Sequence, residues 1–141
     1  RHNPAPNLRY VAADVASLTE AGEARFDLIT SVETFEHIPT EQLGAYVGAL
    51  RDVLRPGGTL LCTTPFARET VRAPNNREHV AEYSTPDFVQ GLSTAFEVEF
   101  VVYQDRTGKL LEEVPPGRPT PQSPDPGHLV QIAVARPRQA G

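Results

Sequence analysis

The sequence has a single cysteine, Cys62, a single lysine, Lys109, and no long apolar run. One cysteine excludes an internal disulfide and fits a reducing compartment. No stretch approaches the roughly 20 apolar residues of a helical membrane span, and no signal-like segment opens the chain. A soluble, cytoplasmic protein is therefore expected. Basic residues are also scarce: 13 Lys and Arg against 18 Asp and Glu leave a net charge of −5. Nucleic-acid binding normally shows as a basic stripe, so RNA or DNA is not the expected partner.

What is present is globular material. Hydrophobic residues make up 39% and charged residues 22% of the 141 positions, which argues against disorder and allows one domain or part of one. "NLRYVAADV" predicts a strand at Leu8–Ala12, and "RFDLITSV" a second at 25–32. In "PTEQLGAYVGALRDVLRPGG", Leu43, Val47, Leu50 and Leu54 form the stripe of an amphipathic helix, with Thr40 as its expected N-cap. Pro56-Gly57-Gly58 stops that helix, and "TLLCTTP" (59–65) reads as a strand buried on both faces of a parallel sheet. Strand, helix, strand is a βαβ unit with a right-handed crossover. A second helix starts at "STPDF", with Ser84 or Thr85 as cap, and strands follow at 96–103 and 128–136. Between those strands, 104–127 carries six prolines and reads as an irregular, mobile loop.

"FDLITSVETFEHIP", "LRDVLRPGGTLLCTTP" and "NNREHVAEYSTPDF", in that order, resemble the class I S-adenosylmethionine (SAM)-dependent methyltransferases. The resemblance implies an α/β, Rossmann-like sheet of order 3-2-1-4-5-7-6 with strand 7 antiparallel. The strands read above map to 3, 4, 5, 6 and 7. Strands 1 and 2 have no counterpart, and the sequence contains no G-x-G that could form the family's cofactor loop. Residues 1–141 are thus expected to be the C-terminal part of one methyltransferase domain, the rest coming from the same or another chain.

The resemblance also assigns residues. Asp14 and the backbone N–H of Val15 would meet the adenine of SAM, although Asp at that position is equally suited to capping a helix. Ser31 and Val32 end strand 4, where the sulfonium would lie; ligands in open α/β sheets sit beyond the carboxyl ends of the strands. Glu33, Glu36 and His37 stand at i, i+3 and i+4, so one helical turn would project all three to one side. With His79 from a later carboxyl-end loop they form a candidate shell for a divalent cation. This E-x-x-E-H pattern resembles the Mg²⁺ or Mn²⁺ site of small-RNA 3′-terminal 2′-O-methyltransferases, yet "EH" here also occurs in metal-free small-molecule methyltransferases. His37 or His79 could instead act as a general base. The expected function is O-methylation of a small molecule such as a sugar, lipid or secondary metabolite. The alternatives are a metal-dependent RNA 2′-O-methyltransferase and a non-catalytic scaffold that needs a partner. Cys62, Tyr83 and Phe88 read as core, and His2 and His128 as surface residues.

Overall fold

The computed structural model describes residues 7, 8, 10–20, 25–116 and 130–138. Its elements are α1 (Val15–Glu20), β1 (Phe26–Ser31), a 3₁₀ turn (Phe35–His37), α2 (Leu43–Val53) and β2 (Leu54–Pro65). They continue with β3 (Val71–Arg72), β4 (Ala81–Glu82), α3 (Thr85–Leu92), β5 (Phe96–Gln104), β6 (Leu110–Val114) and β7 (Val130–Pro137). Five strands form a mixed sheet in the order β1-β2-β7-β5-β6, and β3 pairs with β4 in a separate hairpin. β1 and β2 are parallel, while β7 runs antiparallel to both β2 and β5. This is the 4-5-7-6 portion of the order that the resemblance implied.

Three expectations about strands and loops need correction. Residues 10–13 form no strand, and Leu8, Tyr10 and Val11 are exposed. Among the described residues a strand there has no neighbour to take its backbone hydrogen bonds, so the chain gains nothing by extending. Within the proline-rich 104–127, Leu110–Val114 forms β6, which pairs with β5 around the turn at Asp105–Lys109. The remainder, 117–127, lies outside the described residues, as do His2 and His128.

The third correction concerns β2. It is buried on one face only: Leu60, Cys62 and Thr64 are fully buried, whereas Leu61 and Thr63 are half-buried. Their cross-strand partners follow suit, with Ala135, Ala133 and Gln131 buried and Val134 and Ile132 half-buried. The pleat sends successive side chains to opposite faces. The buried face packs with Val47 and Leu50 of α2 and Phe88 and Leu92 of α3.

Local chemistry explains the joints. α2 begins at Leu43, and Thr40 is exposed in the turn before it and does not cap it. The helix passes straight into β2 through the Arg55–Gly58 segment. Gly57 has φ +79°, the left-handed region that favours glycine. A Cβ on Gly58 would sit 3.0 Å from the Arg55 carbonyl oxygen and 3.2 Å from that of Asp27, so no side chain fits. Arg55 Nη1 also donates to Asp27 Oδ1 at 3.0 Å, tying the start of β2 to β1. Ser84 precedes α3 without a side-chain cap; its N–H donates to Thr70 Oγ1, which clasps the 66–83 loop instead. Among the described residues no helix is long and apolar enough to cross a membrane.

Candidate functional site

The polar cluster forms where the chain leaves β1. Glu33 has φ +47°, uncommon for a residue with a Cβ. One hydroxyl compensates for it: Thr63 Oγ1 accepts from the Glu33 N–H at 3.0 Å and donates to its Oε1 at 2.8 Å. This kink ends the strand, and the chain closes into the 3₁₀ turn through His37 N–H to Thr34 O at 3.0 Å. Phe35, fully buried, anchors the turn by edge-to-face contacts with Tyr83 and Phe88 at 5.1 and 5.0 Å. Tyr83 and Phe88 are accordingly core residues.

Anchoring Phe35 forces Glu36 inside as well, where it is 1% exposed. Its Oε2 accepts from Thr64 Oγ1 at 3.0 Å, while Oε1 is buried with no hydrogen-bond partner. Burial pushes the Glu36 carboxyl above the usual carboxylate range, against the lowering effect of its hydrogen bonds. The nearest cationic candidate is His37, whose Nε2 lies 3.7 Å from Oε1.

The two imidazoles are oriented by their outer nitrogens. His37 Nδ1 lies 2.6 Å from the Glu78 carbonyl oxygen, which can only accept, so Nδ1 carries the proton. In the neutral ring Nε2 then holds a lone pair, facing Glu36. His79 Nδ1 donates to Glu82 Oε1 at 3.0 Å, and its Nε2 accepts from the Asn76 amide at 2.9 Å. The rings stand edge to face with centroids 5.0 Å apart. Glu36, His37 and His79 each bring a ligand atom within 4.8 Å of the others. One carboxylate and two imidazoles, each with Nδ1–H held by a carbonyl or carboxylate, is a donor set that fits a divalent ion once the Asn76 amide gives up His79 Nε2.

Glu33 does not join this group. Thr63 holds Glu33 and Thr64 holds Glu36, and neighbouring residues of a strand point to opposite faces. The helical turn that would have aligned them covers only Phe35–His37. Asp14 is exposed and caps α1, its Oδ1 accepting from the Ala16 N–H at 3.0 Å, and Val15 opens that helix half-buried. Ser31 is buried, 2.6 Å from the Tyr46 hydroxyl, and Val32 is exposed. Sequence reasoning missed Thr63, Thr64 and Glu82. The paired threonines at a strand's carboxyl end, and a Glu three residues after His79, were the available signals.

A family model described as a methyltransferase domain matches residues 1–58. A ubiquinone biosynthesis O-methyltransferase of Cereibacter sphaeroides is 42% identical over 70% of this chain and 42% of its own length. The namesake from another strain is 31% identical over 69% and 42%. The chain thus spans less than half the length of these curated relatives. Among solved structures, the Burkholderia thailandensis 1,6-didemethyltoxoflavin-N1-methyltransferase, with S-adenosylhomocysteine bound, aligns with TM-score 0.59 at 20% identity, over 93% of this chain and 51% of that one. A TehB-like SAM-dependent methyltransferase from Corynebacterium glutamicum aligns with TM-score 0.59 at 17% identity, over 94% and 58%. At such identities the two structures speak for the fold.

Proposed function

We propose that the protein is a class I SAM-dependent methyltransferase that transfers a methyl group from SAM to an oxygen of a small organic acceptor, with Glu36, His37 and His79 at the acceptor end. The observation that carries this reading is the buried Glu36 carboxylate, whose unpartnered oxygen faces His37 Nε2 beyond the carboxyl ends of β1 and β2. The O-methyltransferase names of the relatives favour oxygen over nitrogen. S-adenosylhomocysteine in a structural neighbour favours SAM as cofactor. Asp14 and Val15 would meet the adenine, and Ser31 and Val32 the sulfonium region. A cytoplasmic location goes with this reading.

Chemically, His37 Nε2 takes the acceptor's hydroxyl proton as the oxygen attacks the methyl carbon. The S–CH₃ bond breaks, leaving the neutral thioether, and Glu36 stabilises the imidazolium that forms. A base of this kind contributes roughly 10²–10⁴-fold, and alignment of oxygen, carbon and sulfur lowers much of the remaining barrier. The orphaned Glu36 oxygen favours a second reading of the same residues, as ligands. Glu36, His37 and His79 would hold a divalent cation, which when bound lowers the pKa of a coordinated hydroxyl.

The test is labelled methyl transfer from SAM by the intact protein to a panel of hydroxyl acceptors and to RNA, with and without EDTA. Transfer to small hydroxyl acceptors that needs His37 is expected. SAM binding with transfer only to RNA overturns the substrate class, and no SAM binding overturns the enzyme reading.

A further inference from the structure

The opposite end of the sheet carries a second polar feature. A cavity of about 830 Å³ opens at the amino ends of β1, β2 and β5 and the carboxyl end of β7. Five arginines line it: Arg25 before β1, Arg51 in the last turn of α2, Arg55 in β2, Arg136 in β7 and Arg138 just beyond. Among the described residues two carboxylates, Asp52 and Glu97, share the lining. In a chain with net charge −5, five of 13 cationic residues converge on this one place.

Three of the five are already engaged. Arg51 pairs with Asp52 at 2.6 Å, Arg55 with Asp27 at 3.0 Å and Arg136 with Glu99 at 2.7 Å. Arg138 uses only its Nε, on the Ser93 carbonyl at 3.0 Å. Arg25 has no hydrogen bond or ion pair among the described residues. Guanidinium groups cannot shed a proton to relieve mutual repulsion, as lysine or histidine can. Arg25 and Arg138 have no carboxylate partner among the described residues, and the planar fork suits phosphate or carboxylate oxygens. The volume falls within the roughly 300–1,000 Å³ of small-molecule sites.

We propose that this cavity binds a compact polyanion, a small molecule carrying two or more phosphate groups, through Arg25 and Arg138, with the ion-paired Arg51, Arg55 and Arg136 forming its walls. The site is separate from the Glu36 cluster and does not depend on the methyl-transfer reading.

The test is calorimetric titration of the intact chain with inorganic tripolyphosphate and, in parallel, with orthophosphate, at about 0.15 M ionic strength to screen diffuse surface attraction. One-to-one binding of tripolyphosphate, tighter than orthophosphate, is expected. The Arg25→Gln/Arg138→Gln double variant should bind about tenfold more weakly or worse, since two charge-assisted contacts are lost. Glu97→Gln, which removes a competing carboxylate from the lining, should bind several-fold more tightly. The double variant loses the Arg138 Nε bond to the Ser93 carbonyl but keeps the Arg138 N–H to Ala95 bond and the three ion pairs, so its fold should hold. If it does not, Glu97→Gln alone still decides the matter. No binding, unchanged affinity in the double variant, or no gain from Glu97→Gln overturns the proposal.

Discussion

His37 Nδ1 donates to the carbonyl oxygen of Glu78 at 2.6 Å, across 41 residues of sequence. A second bond runs alongside it, from the Val80 N–H to the Glu36 carbonyl oxygen at 2.8 Å. Together they fasten the loop that bears His79 to the turn that bears Glu36. The same contact that orders the loop also fixes which ring nitrogen of His37 keeps its lone pair.

Tether and lone pair can be separated by substitution. An asparagine amide reaches roughly where Nδ1 stands but offers nothing at Nε2. His37→Asn should therefore keep the loop ordered, with slow hydrogen exchange at Val80, while methyl transfer falls about 10²-fold or more. His37→Ala should lose both. Full activity in His37→Asn would show that Nε2 is not used.

Glu36→Gln should stabilise the fold at neutral pH while abolishing activity. The substitution removes a buried carboxylate with one orphaned oxygen and supplies an amide that can donate to His37 Nε2. A gain of about 1 kcal/mol is expected, or roughly 3–5 °C in melting midpoint for a chain of this size. The sign with pH follows from the raised Glu36 pKa. The folded state favours the protonated form, so parent stability rises as pH falls through the folded pKa, and the advantage of the glutamine shrinks. A difference in midpoint that grows towards acid pH would contradict this.

Mn²⁺ should raise the melting midpoint of the parent chain by binding the native state alone, about 2.7 kcal/mol at a hundredfold excess over Kd. Glu36→Gln and His79→Gln should respond little. Glu33→Gln should respond like the parent, because Thr63 holds Glu33 on the other face of β2. Loss of the Mn²⁺ response in Glu33→Gln would mean that both carboxylates reach one ion.

Gly91→Ala tests the mechanical link between the core and the site. The added methyl would lie 2.8 Å from Phe35 Cζ, and Phe35 is fully buried with nowhere to move. Overpacking of this kind costs about 1–3 kcal/mol. Because Phe35 directly precedes Glu36, methyl transfer should fall more steeply than the melting midpoint suggests. A destabilised variant with unaltered kcat would disconnect the two.

Much of this was legible in the sequence because local pattern and tertiary structure agree. The stripe Leu43, Val47 and Leu50 faces the core, although the helix ends at Val53 and β2 already begins at Leu54, ahead of the Pro56-Gly57-Gly58 stop. Glu36, His37 and His79 were legible as a group because two are adjacent and the third follows a strand of the same sheet. The exclusion of Glu33 was not, since it depends on one positive φ and on which threonine of a pair lies nearer. β6 was hidden because Pro115 and Pro116 follow Leu110–Val114 directly and mask it in a proline-rich stretch without interrupting it. The arginine cavity draws on four separate segments of the chain, and no one-dimensional pattern joins them.

The pairing of Thr63 with Glu33 and of Thr64 with Glu36 makes β2 a sorting device for two chemically identical side chains. It delivers one carboxylate to the wet side of the sheet and the other to the dry side. A one-residue slip of β2 against β1 would flip every side chain across the sheet and exchange the two. The Gly58 contact and the Arg55–Asp27 pair, which hold the start of β2 against β1, thus determine from the far end of the strand which glutamate is buried.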